Sequence, residues 1–347
     1  MEQGVDASLI EAVRAGDRGA FDALVNPHRK RLLAHCYRML GAAGEAEDAV
    51  QEALLRAWRH VGSFEGRSSF RSWLYAIATR VCLDHLGDRP ARRYPSLDDS
   101  GPADPSSPPT DPLLDPVWLE ALPDAAWCEG SLDAGECPEA GLTRRQSVAI
   151  AFLAAIHLLP GTQRAALLLL EVAGWSAAEV ADALDITVAA VNSAAQRARA
   201  TLDERAPSWR RSARAPKPSD TDVLSRYARA WRTGDATLLA STLRDDATLA
   251  MPPSPAWYAG REAVERFLSG FVFAMKVPFD MIDGPSVNGA PSLALYAPDR
   301  ADPKTLHAHS VHVIELDAFG EISAIRVFME PAAVGRLGLP MTRAQTA

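Results

Sequence analysis

The sequence predicts three domains, of which the first two are all-α and the last is α+β. Apolar residues recur at three- and four-residue spacing in residues 1–89 and again in 144–205, which is typical of amphipathic helices. In residues 220–335, two helical segments precede short alternating runs, and this order is typical of helices packed on an antiparallel sheet. At 347 residues, the chain is also longer than one hydrophobic core usually serves.

The first domain, residues 1–89, is expected to contain four helices. Leu9 to Leu40 predicts two of them, with Asn26-Pro27 as the expected break or kink between them. The other two lie within 41–86 and are joined by the loop SFEGRSSF, which brings aromatic, hydroxyl and basic side chains together. Such a mixture can stack an unpaired base and bind its phosphates.

Residues 90–143 interrupt the helical pattern and predict an acidic linker. They are rich in Pro, Asp and Ser and poor in apolar residues, so an extended or disordered segment is expected when it is alone. Trp118 and Trp127 form an aromatic island that can dock on another surface. A basic stretch at 206–219 predicts a second linker before the last domain.

The net charge of −8 is concentrated in the acidic linker. Residues 94–143 contain 11 carboxylates and no Lys or Arg, so the rest of the chain carries +3. Total charge therefore does not argue against nucleic-acid binding. The Arg29-Lys30-Arg31 cluster fits a nucleic-acid contact and a solvated helix face equally well.

The second helical domain, 144–205, ends in a helix–turn–helix pattern. Ser176 is expected to cap one helix, Asp185 to turn the chain with Ile186, and Thr187 to cap the last helix. Such an arrangement can place its second helix in a DNA major groove. The expected inward face of the last helix consists of Val188, Val191, Ala195, Ala198 and Leu202.

In the third domain, Asp317 to Gly320 predicts a hairpin turn between two long strands. On a regular strand His307 and His309 share one face and His312 takes the other, so the three are not expected to line one pocket. No acid–base pair is evident from residue spacing, and no catalytic residues are expected.

Several function classes lack support in the sequence. The four cysteines show no C-x-x-C spacing, so neither a metal site nor a disulfide framework is expected, and no cofactor is implied. No apolar run approaches membrane-spanning length, and the N-terminus lacks a signal-peptide core. A soluble, cytoplasmic protein, monomeric when free, is expected.

The first domain resembles region 2 of bacterial sigma factors of the extracytoplasmic-function (ECF) group. The resemblance rests on YRMLG at 37–41, EAEDAVQEALLRAW at 45–58 and F-x-x-x-S-S-F-R-S-W-L-Y-A-I-A at 64–78. It implies that the β and β′ subunits of core RNA polymerase are bound through Glu47, Asp48, Gln51 and Glu52. It also implies that the promoter −10 element is contacted by Phe64, Ser68, Ser69, Phe70, Arg71, Trp73 and Arg80. Arg80 departs from the family, which often has Asn there.

The second domain resembles sigma region 4 in LLPGTQRAALLLLEVAGWSAAEVADAL and VNSAAQRAR. The resemblance implies contact with the promoter −35 element through Thr187, Ala189, Asn192, Ser193, Gln196, Arg197 and Arg199. Asn192 and Ala194 stand where the family often has Lys and Arg. Fewer cations predict a weaker, less salt-dependent contact by this domain alone.

The third domain resembles the SnoaL-like branch of the NTF2-like cone fold, whose members include polyketide cyclases and isomerases. The candidates for the interior of the cone are Trp231, Asp246, Trp257, Tyr258, Phe267 and His309. The expected role of this domain is to dock on the sigma domains and regulate them, and a small ligand is an open alternative.

These resemblances together predict an ECF sigma factor that binds core polymerase and promoter DNA. Its acidic linker is expected either to mimic nucleic acid within the polymerase or to cover the basic DNA-binding surfaces. Two other classes remain open: a helix–turn–helix repressor or activator that acts without polymerase, and a SnoaL-type enzyme or ligand sensor fused to a DNA-binding regulator.

Overall fold

The structure is a computed structural model that describes residues 2–66, 68–87, 101–113, 118–127, 149–206, 220–299 and 304–344, with side chains from residue 8 onward. Arg67, Cys128, Cys137 and most of the basic linker lie outside these residues. The chain forms two compact units. The helical unit comprises Met1–Ala91, Ala125–Ser147 and Ala155–Arg210, and the C-terminal unit comprises Arg92–Asp124, Val148–Ala154 and Arg211–Ala347.

Four helices form the first part of the helical unit: α1 (Glu2–Arg14), α2 (Arg18–Leu40), α3 (Ala43–His60) and α4 (Phe70–Leu86). The predicted break at Asn26-Pro27 is wrong, because Pro27 lies inside α2. The chain instead breaks before Asp17, whose side chain caps α2 by accepting a hydrogen bond from the Ala20 amide at 3.1 Å. Pro27 cannot donate a backbone hydrogen bond within the helix. The burial of residues on both sides of it, including Val25 and Leu32, stabilises α2 despite this loss.

Four more helices carry the second part of the pattern: α5 (Ile150–Ile156), α6 (Gly161–Glu171), α7 (Ala177–Leu184) and α8 (Val188–Arg205). The predicted caps are confirmed. Ser176 and Glu179 form a capping box at the start of α7, Asp185 ends it with a left-handed conformation, and Thr187 accepts from the Ala190 amide at 3.2 Å. The helix–turn–helix expected from the sequence is therefore present.

The predicted inward face of α8 needs one correction. Val188 is 44% exposed, whereas Ala194, which was not assigned to that face, is buried. The reason is local, because Val188 occupies the first turn of the helix directly after the cap at Thr187, where it projects beyond the domain core. Val191, Ala195, Ala198 and Leu202 are buried as expected.

The C-terminal unit combines helices with a seven-stranded mixed sheet. Its helices are α9 (Thr221–Thr233), α10 (Ala236–Ala240), α11 (Arg261–Phe267) and α12 (Pro331–Arg336). Its strands are β1 (Leu243–Ala250), β2 (Trp257–Ala259), β3 (Asp280–Val287), β4 (Ala290–Pro298), β5 (Thr305–Leu316), β6 (Ile322–Phe328) and β7 (Thr342–Ala344). The strand order is β2-β1-β6-β5-β4-β3, with β7 paired to β5. One apolar core joins α9, α10 and α11 to the sheet, as the α+β prediction requires.

The strand β5 contains an irregularity that the sequence did not predict. Its pairing with β4 shifts between Leu295 and Tyr296, so Ser310 and Ala308 face consecutive residues and His309 is left over. Such a bulge interrupts the alternation of side chains. His309 and His312 are consequently linked through Ser310, contrary to the expectation that they would lie on opposite faces.

Candidate polymerase and promoter interface

The exposed side of α3 carries the residues predicted to bind polymerase. Glu47, Asp48 and Gln51 are exposed, while the opposite side of the helix packs into the domain through a row of small and apolar residues. Leu55 adds a side chain that the sequence analysis did not assign, and it is 57% exposed. It lies one turn beyond Gln51, so the acidic and polar surface ends in an apolar one.

Glu52 is more constrained than the other three predicted contacts. Its carboxylate accepts a hydrogen bond from Arg56 at 2.6 Å and lies 3.0 Å from the His85 ring. The hydrogen bonds from His85 and Arg56 lower the pKa of Glu52. Arg56 also bonds to Asp84 at 2.9 Å, which ties α3 to α4. Glu52 therefore orients α3 as well as contributing charge to its surface.

A groove of about 230 Å³ lies between α2 and α3, beside the residues of α3 that are predicted to bind polymerase. It is lined by Arg29, Lys30, Leu33, Glu47, Val50, Gln51 and Ala126. Two of the four predicted polymerase contacts therefore share one depression with a residue from the acidic linker.

The loop between α3 and α4 divides the residues predicted for the −10 element into buried and exposed groups. Phe64 and Phe70 are buried and meet at 5.9 Å between ring centroids, with Trp73 tilted 5.3 Å from Phe64. Ser68 is exposed, and Ser69 caps α4 by accepting from the Ser72 amide at 3.0 Å. The two phenylalanines thus hold the loop, while Ser68, Ser69 and half-buried Trp73 are the groups at its surface.

Two arginines of α4 have partners within the helical unit, one on α4 itself and one on α7. The Arg71 guanidinium lies 5.7 Å from the centre of the Tyr75 ring, a cation–π arrangement. Arg80 is exposed, and its Nε donates to the Ala183 carbonyl in α7 at 3.2 Å. A residue predicted to bind the −10 element is therefore bonded to the helix–turn–helix in this structure.

The helix α8 presents most of the residues predicted to bind the −35 element. Thr187, Ala189, Asn192, Gln196 and Arg197 are exposed, and Ser193 is half-buried. Arg197 donates to the Ser193 hydroxyl at 2.6 Å. Arg199 is different, because its Nε donates to Glu171 of α6 at 2.9 Å. That ion pair uses Arg199 to join α8 to α6.

The C-terminal unit brings together only part of the predicted cone lining. Trp231, Tyr258 and Phe267 are buried in its core, and the last two rings stack at 4.1 Å. Trp257 is half-buried on the short edge strand β2. The placement of Asp246 in the cone is wrong, because its side chain is 71% exposed and pairs with Arg244 on the same strand. Burying a charged carboxylate costs free energy, and Asp246 avoids this cost because it remains in water and pairs with Arg244.

His309, which was predicted to line the cone, belongs to a chain of hydrogen-bonded side chains that also includes Ser310, His312 and Tyr227. His312 is fully buried, with Nδ1 2.8 Å from the Tyr227 hydroxyl and Nε2 3.1 Å from Ser310 Oγ. Burial, and to a lesser degree the charge of His309, lowers the pKa of His312 to about 3. Burial also lowers the pKa of His309. His312 is neutral at physiological pH, and both its ring nitrogens already have partners.

The described part of the acidic linker contacts the C-terminal unit at both ends of its sheet. The Ala103 amide donates to the Trp257 carbonyl at 2.8 Å, and the Leu113 amide donates to the Pro253 carbonyl at 3.0 Å. Further on, Leu122 exchanges two hydrogen bonds of 3.2 Å with Asn288. The aromatic island was predicted to dock, but its attachment to the turn between β3 and β4 was not foreseen.

Among the described residues, no group of acidic, histidine or cysteine side chains could hold a metal ion, and Cys36 and Cys82 are buried free thiols. No helix in the described part of the chain is long and apolar enough to cross a membrane.

Comparison with known proteins identifies both helical parts. Residues 24–92 match the family model for sigma-70 region 2, and residues 149–202 match the model for sigma-70 region 4. The chain is 38% identical over 328 residues to the ECF RNA polymerase sigma factor SigG of Mycobacterium tuberculosis, covering 93% of this chain and 85% of SigG. It is also 34% identical over 206 residues to the RNA polymerase sigma-H factor of Pseudomonas aeruginosa, covering 59% of this chain and 95% of that protein.

The solved structures agree in fold. The ECF sigma factor SigJ of Mycobacterium tuberculosis matches with a TM-score of 0.55 and 22% identity, covering 94% of this chain and all of SigJ. The chain belongs to the ECF sigma factors, a family of transcription initiation factors that bind core RNA polymerase and direct it to promoters. The sigma-factor prediction and the α-helical and α+β fold classes are confirmed.

Proposed function

We propose that this sigma factor binds the β and β′ subunits of core RNA polymerase through the exposed side of α3. The observation that carries the proposal is a folded helix whose exposed residues, Glu47, Asp48, Gln51 and Leu55, are not used by its own domain core. Exposed carboxylates steer a partner by charge, and an exposed leucine supplies apolar area for the contact.

Two further surfaces, the start of α4 and the exposed side of α8, recognise the promoter. Ser68, Ser69 and Trp73 at the start of α4 contact the −10 element, with Phe64 and Phe70 holding the loop from below. Asn192 and Gln196 of α8 read base edges of the −35 element, because their amides can make paired hydrogen bonds with adenine. Arg197 contacts the DNA phosphates. The chain acts where the polymerase is found, in the cytoplasm.

The C-terminal unit regulates the sigma domains by binding the linker that joins them. Two stretches of the linker, Ala103 to Leu113 and Leu122 to Asp124, hydrogen-bond to this unit. Among the described residues, no carboxylate is hydrogen-bonded to His312, whose buried ring is hydrogen-bonded at both nitrogens to Tyr227 and Ser310. These contacts favour a binding and regulatory role for the unit over catalysis.

The test of the polymerase face is the affinity of the full chain for core polymerase. The substitution Asp48→Arg places a cation on the acidic surface and is expected to weaken binding by about 2 kcal/mol or more. Glu11→Arg makes the same charge change on α1 of the same domain and should leave the affinity unchanged. Equal affinities for the two variants would contradict the assignment of α3 as the polymerase face.

A helix–turn–helix repressor or activator gives the opposite pattern. It binds promoter duplex tightly in the absence of polymerase, and Asp48→Arg does not alter its effect on transcription. Gel-shift measurements with and without core polymerase therefore separate the two classes.

A further inference from the structure

The segment of the acidic linker that contains Trp127 lies on the helical unit, beside the polymerase face. Asp124–Ala126 forms a short 3₁₀ turn, and Ala126 lines the groove between α2 and α3 together with Glu47 and Gln51. Trp127, the next residue, is only 4% exposed. A tryptophan that is buried within a linker otherwise rich in Pro, Asp and Ser indicates a specific seat for this segment.

The seat of Trp127 includes a cationic side chain. The Arg38 guanidinium lies 6.0 Å from the centre of the indole ring, at the limit of a cation–π contact. The indole Nε1 is buried, and no described residue accepts a hydrogen bond from it. An unsatisfied buried donor weakens the seated state, so this contact is suited to reversible release.

The residues directly before this segment are fixed to the C-terminal unit. Pro123 forms a β-bridge with Val287, and the Gly289 amide donates to Asp124 Oδ1 at 3.0 Å. Asn288 has a left-handed backbone, with φ of 51°, and its side chain accepts from the Leu122 amide. The turn between β3 and β4 therefore anchors the chain up to Asp124.

We propose that Ala125–Trp127 lies against the α2–α3 groove of the free protein and competes with core polymerase for the surface around Glu47 and Gln51. This inference rests on the proposed polymerase face. The competitor is a segment of the same chain, so its local concentration at the groove is high. Polymerase binding then requires the segment to leave the groove.

The competition reduces the apparent affinity for polymerase. When the groove is free in only a fraction of molecules, the apparent Kd equals the intrinsic Kd divided by that fraction. Occupancy of about nine-tenths thus raises the apparent Kd about tenfold. The same arithmetic gives the gain expected when the segment is removed from the groove.

The first test uses hydrogen–deuterium exchange of the unaltered full chain, with and without core polymerase. We expect the amides of residues 125–127 to exchange slowly in the free chain and faster in the complex. Slow exchange in both states would overturn the proposal, because the segment would then stay seated while polymerase is bound. Fast exchange in the free chain would also overturn it.

The second test compares two tryptophans of the same linker. Trp127→Ala should tighten binding of core polymerase about tenfold. Trp118→Ala is the matched control, because Trp118 donates to the Leu113 carbonyl at 2.8 Å, and Leu113 is in turn bonded to Pro253 of the C-terminal unit. Equal affinities for Trp127→Ala and the unaltered chain would overturn the inference.

The outcomes separate this inference from the proposed function. If the chain binds polymerase and Asp48→Arg weakens binding, but residues 125–127 do not respond, only the inference fails. If Asp48→Arg has no effect while the chain still binds, the polymerase face is elsewhere and both fail. Should Trp127→Ala fail to fold, the exchange experiment on the unaltered chain still decides the matter.

Discussion

Two histidines show how burial fixes protonation in this protein. His35 in the helical unit and His312 in the C-terminal unit are both almost fully buried, and burial lowers the pKa of each to about 3. His35 lies 2.8 Å from the Thr79 hydroxyl, and His312 lies between Tyr227 and Ser310. Both rings are neutral hydrogen-bonding groups of the core at physiological pH.

The buried ring of His312 predicts a dependence of stability on pH. In the unfolded chain it titrates near 6.5, and in the folded chain near 3. Between these values the unfolded state binds the extra proton, so stability falls as pH falls, by up to about 1.4 kcal/mol per pH unit for this group. His312→Gln should flatten the dependence of the free energy of unfolding between pH 6.5 and 5.

The control for this measurement is Val313→Ala, because Val313 is buried on the same strand and has no titratable group. Its slope against pH should stay close to that of the unaltered chain. A His312→Gln variant with an unchanged slope would show that the ring is charged in the folded state.

Arg164 is a second buried group with a large expected effect. It is 2% exposed, and its guanidinium donates to the carbonyls of Ile156, His157 and Leu159 and to that of Met39 in α2. Arg164→Met removes these four hydrogen bonds and the buried charge, and it should destabilise the helical unit by about 3 kcal/mol or more. Denaturant unfolding followed by circular dichroism measures the loss.

Arg164→Lys is the matched variant for this position. Its single ammonium keeps the charge but cannot reach all four carbonyls, so an intermediate loss is expected. Equal stability of Arg164→Met and the unaltered chain would mean that the carbonyls find other donors.

Residue-level expectations failed where burial decided the outcome. Phe64 and Phe70 fit a base-stacking role by composition, yet they fill the space between α3 and α4. Asp246 was a cone candidate by residue type, and only the register of β1 places it at the surface beside Arg244. The sequence gives the type of side chain at each position, but the packing of segments that are distant in sequence decides which side chains are exposed.

At the level of elements, α8 carries both residues that are proposed to contact DNA bases and residues that are bonded to its own domain. Gln196 is exposed on the helix, whereas Arg199 is bonded to Glu171 of α6. We expect Gln196→Ala to reduce discrimination among −35 sequences by about 1–3 kcal/mol. Binding of the holoenzyme to promoters with single changes in the −35 element measures this effect.

Arg199→Ala and Arg197→Ala serve as comparisons for Gln196→Ala. Loss of Arg199 should lower the stability of the helix–turn–helix without changing its sequence preference. Loss of Arg197 should weaken binding to every promoter alike and reduce its salt dependence. If Gln196→Ala instead weakened binding to all promoters equally, the Gln196 amide would contact the DNA sugar–phosphate backbone and not the bases.

Local signals predicted the helices well and failed where long-range contacts compete with them. Caps at Ser176 and Thr187 depend on residues three positions away, so they are visible in sequence. Pro27 lies inside α2 because buried neighbours compensate for the missing hydrogen bond, and the β5 bulge at His309 depends on its pairing with β4. Neither depends on adjacent residues alone.

At the level of the whole chain, the acidic linker is the part whose role changed most. Its charge and composition predicted an extended segment, and the described residues do lack long helices and strands. They are nevertheless bonded to the C-terminal unit at Ala103, Leu113 and Leu122. Composition could not reveal these partners, because they lie more than a hundred residues further along the chain.

The proposed competition predicts a direction of control for the C-terminal unit. This unit binds the linker up to Asp124 and should reduce the activity of the free sigma factor. Removal of the unit is therefore expected to increase polymerase binding and transcription, even though the DNA-contacting helices are unchanged.

The most direct measurement is transcription in vitro with core polymerase and a pool of promoter DNA, using the full chain and a chain that ends at Asp220. The account predicts promoter-specific transcripts from both, with more product from the shorter chain at limiting concentration. The absence of promoter-specific transcripts from both chains, with polymerase that responds to another sigma factor, would contradict the account.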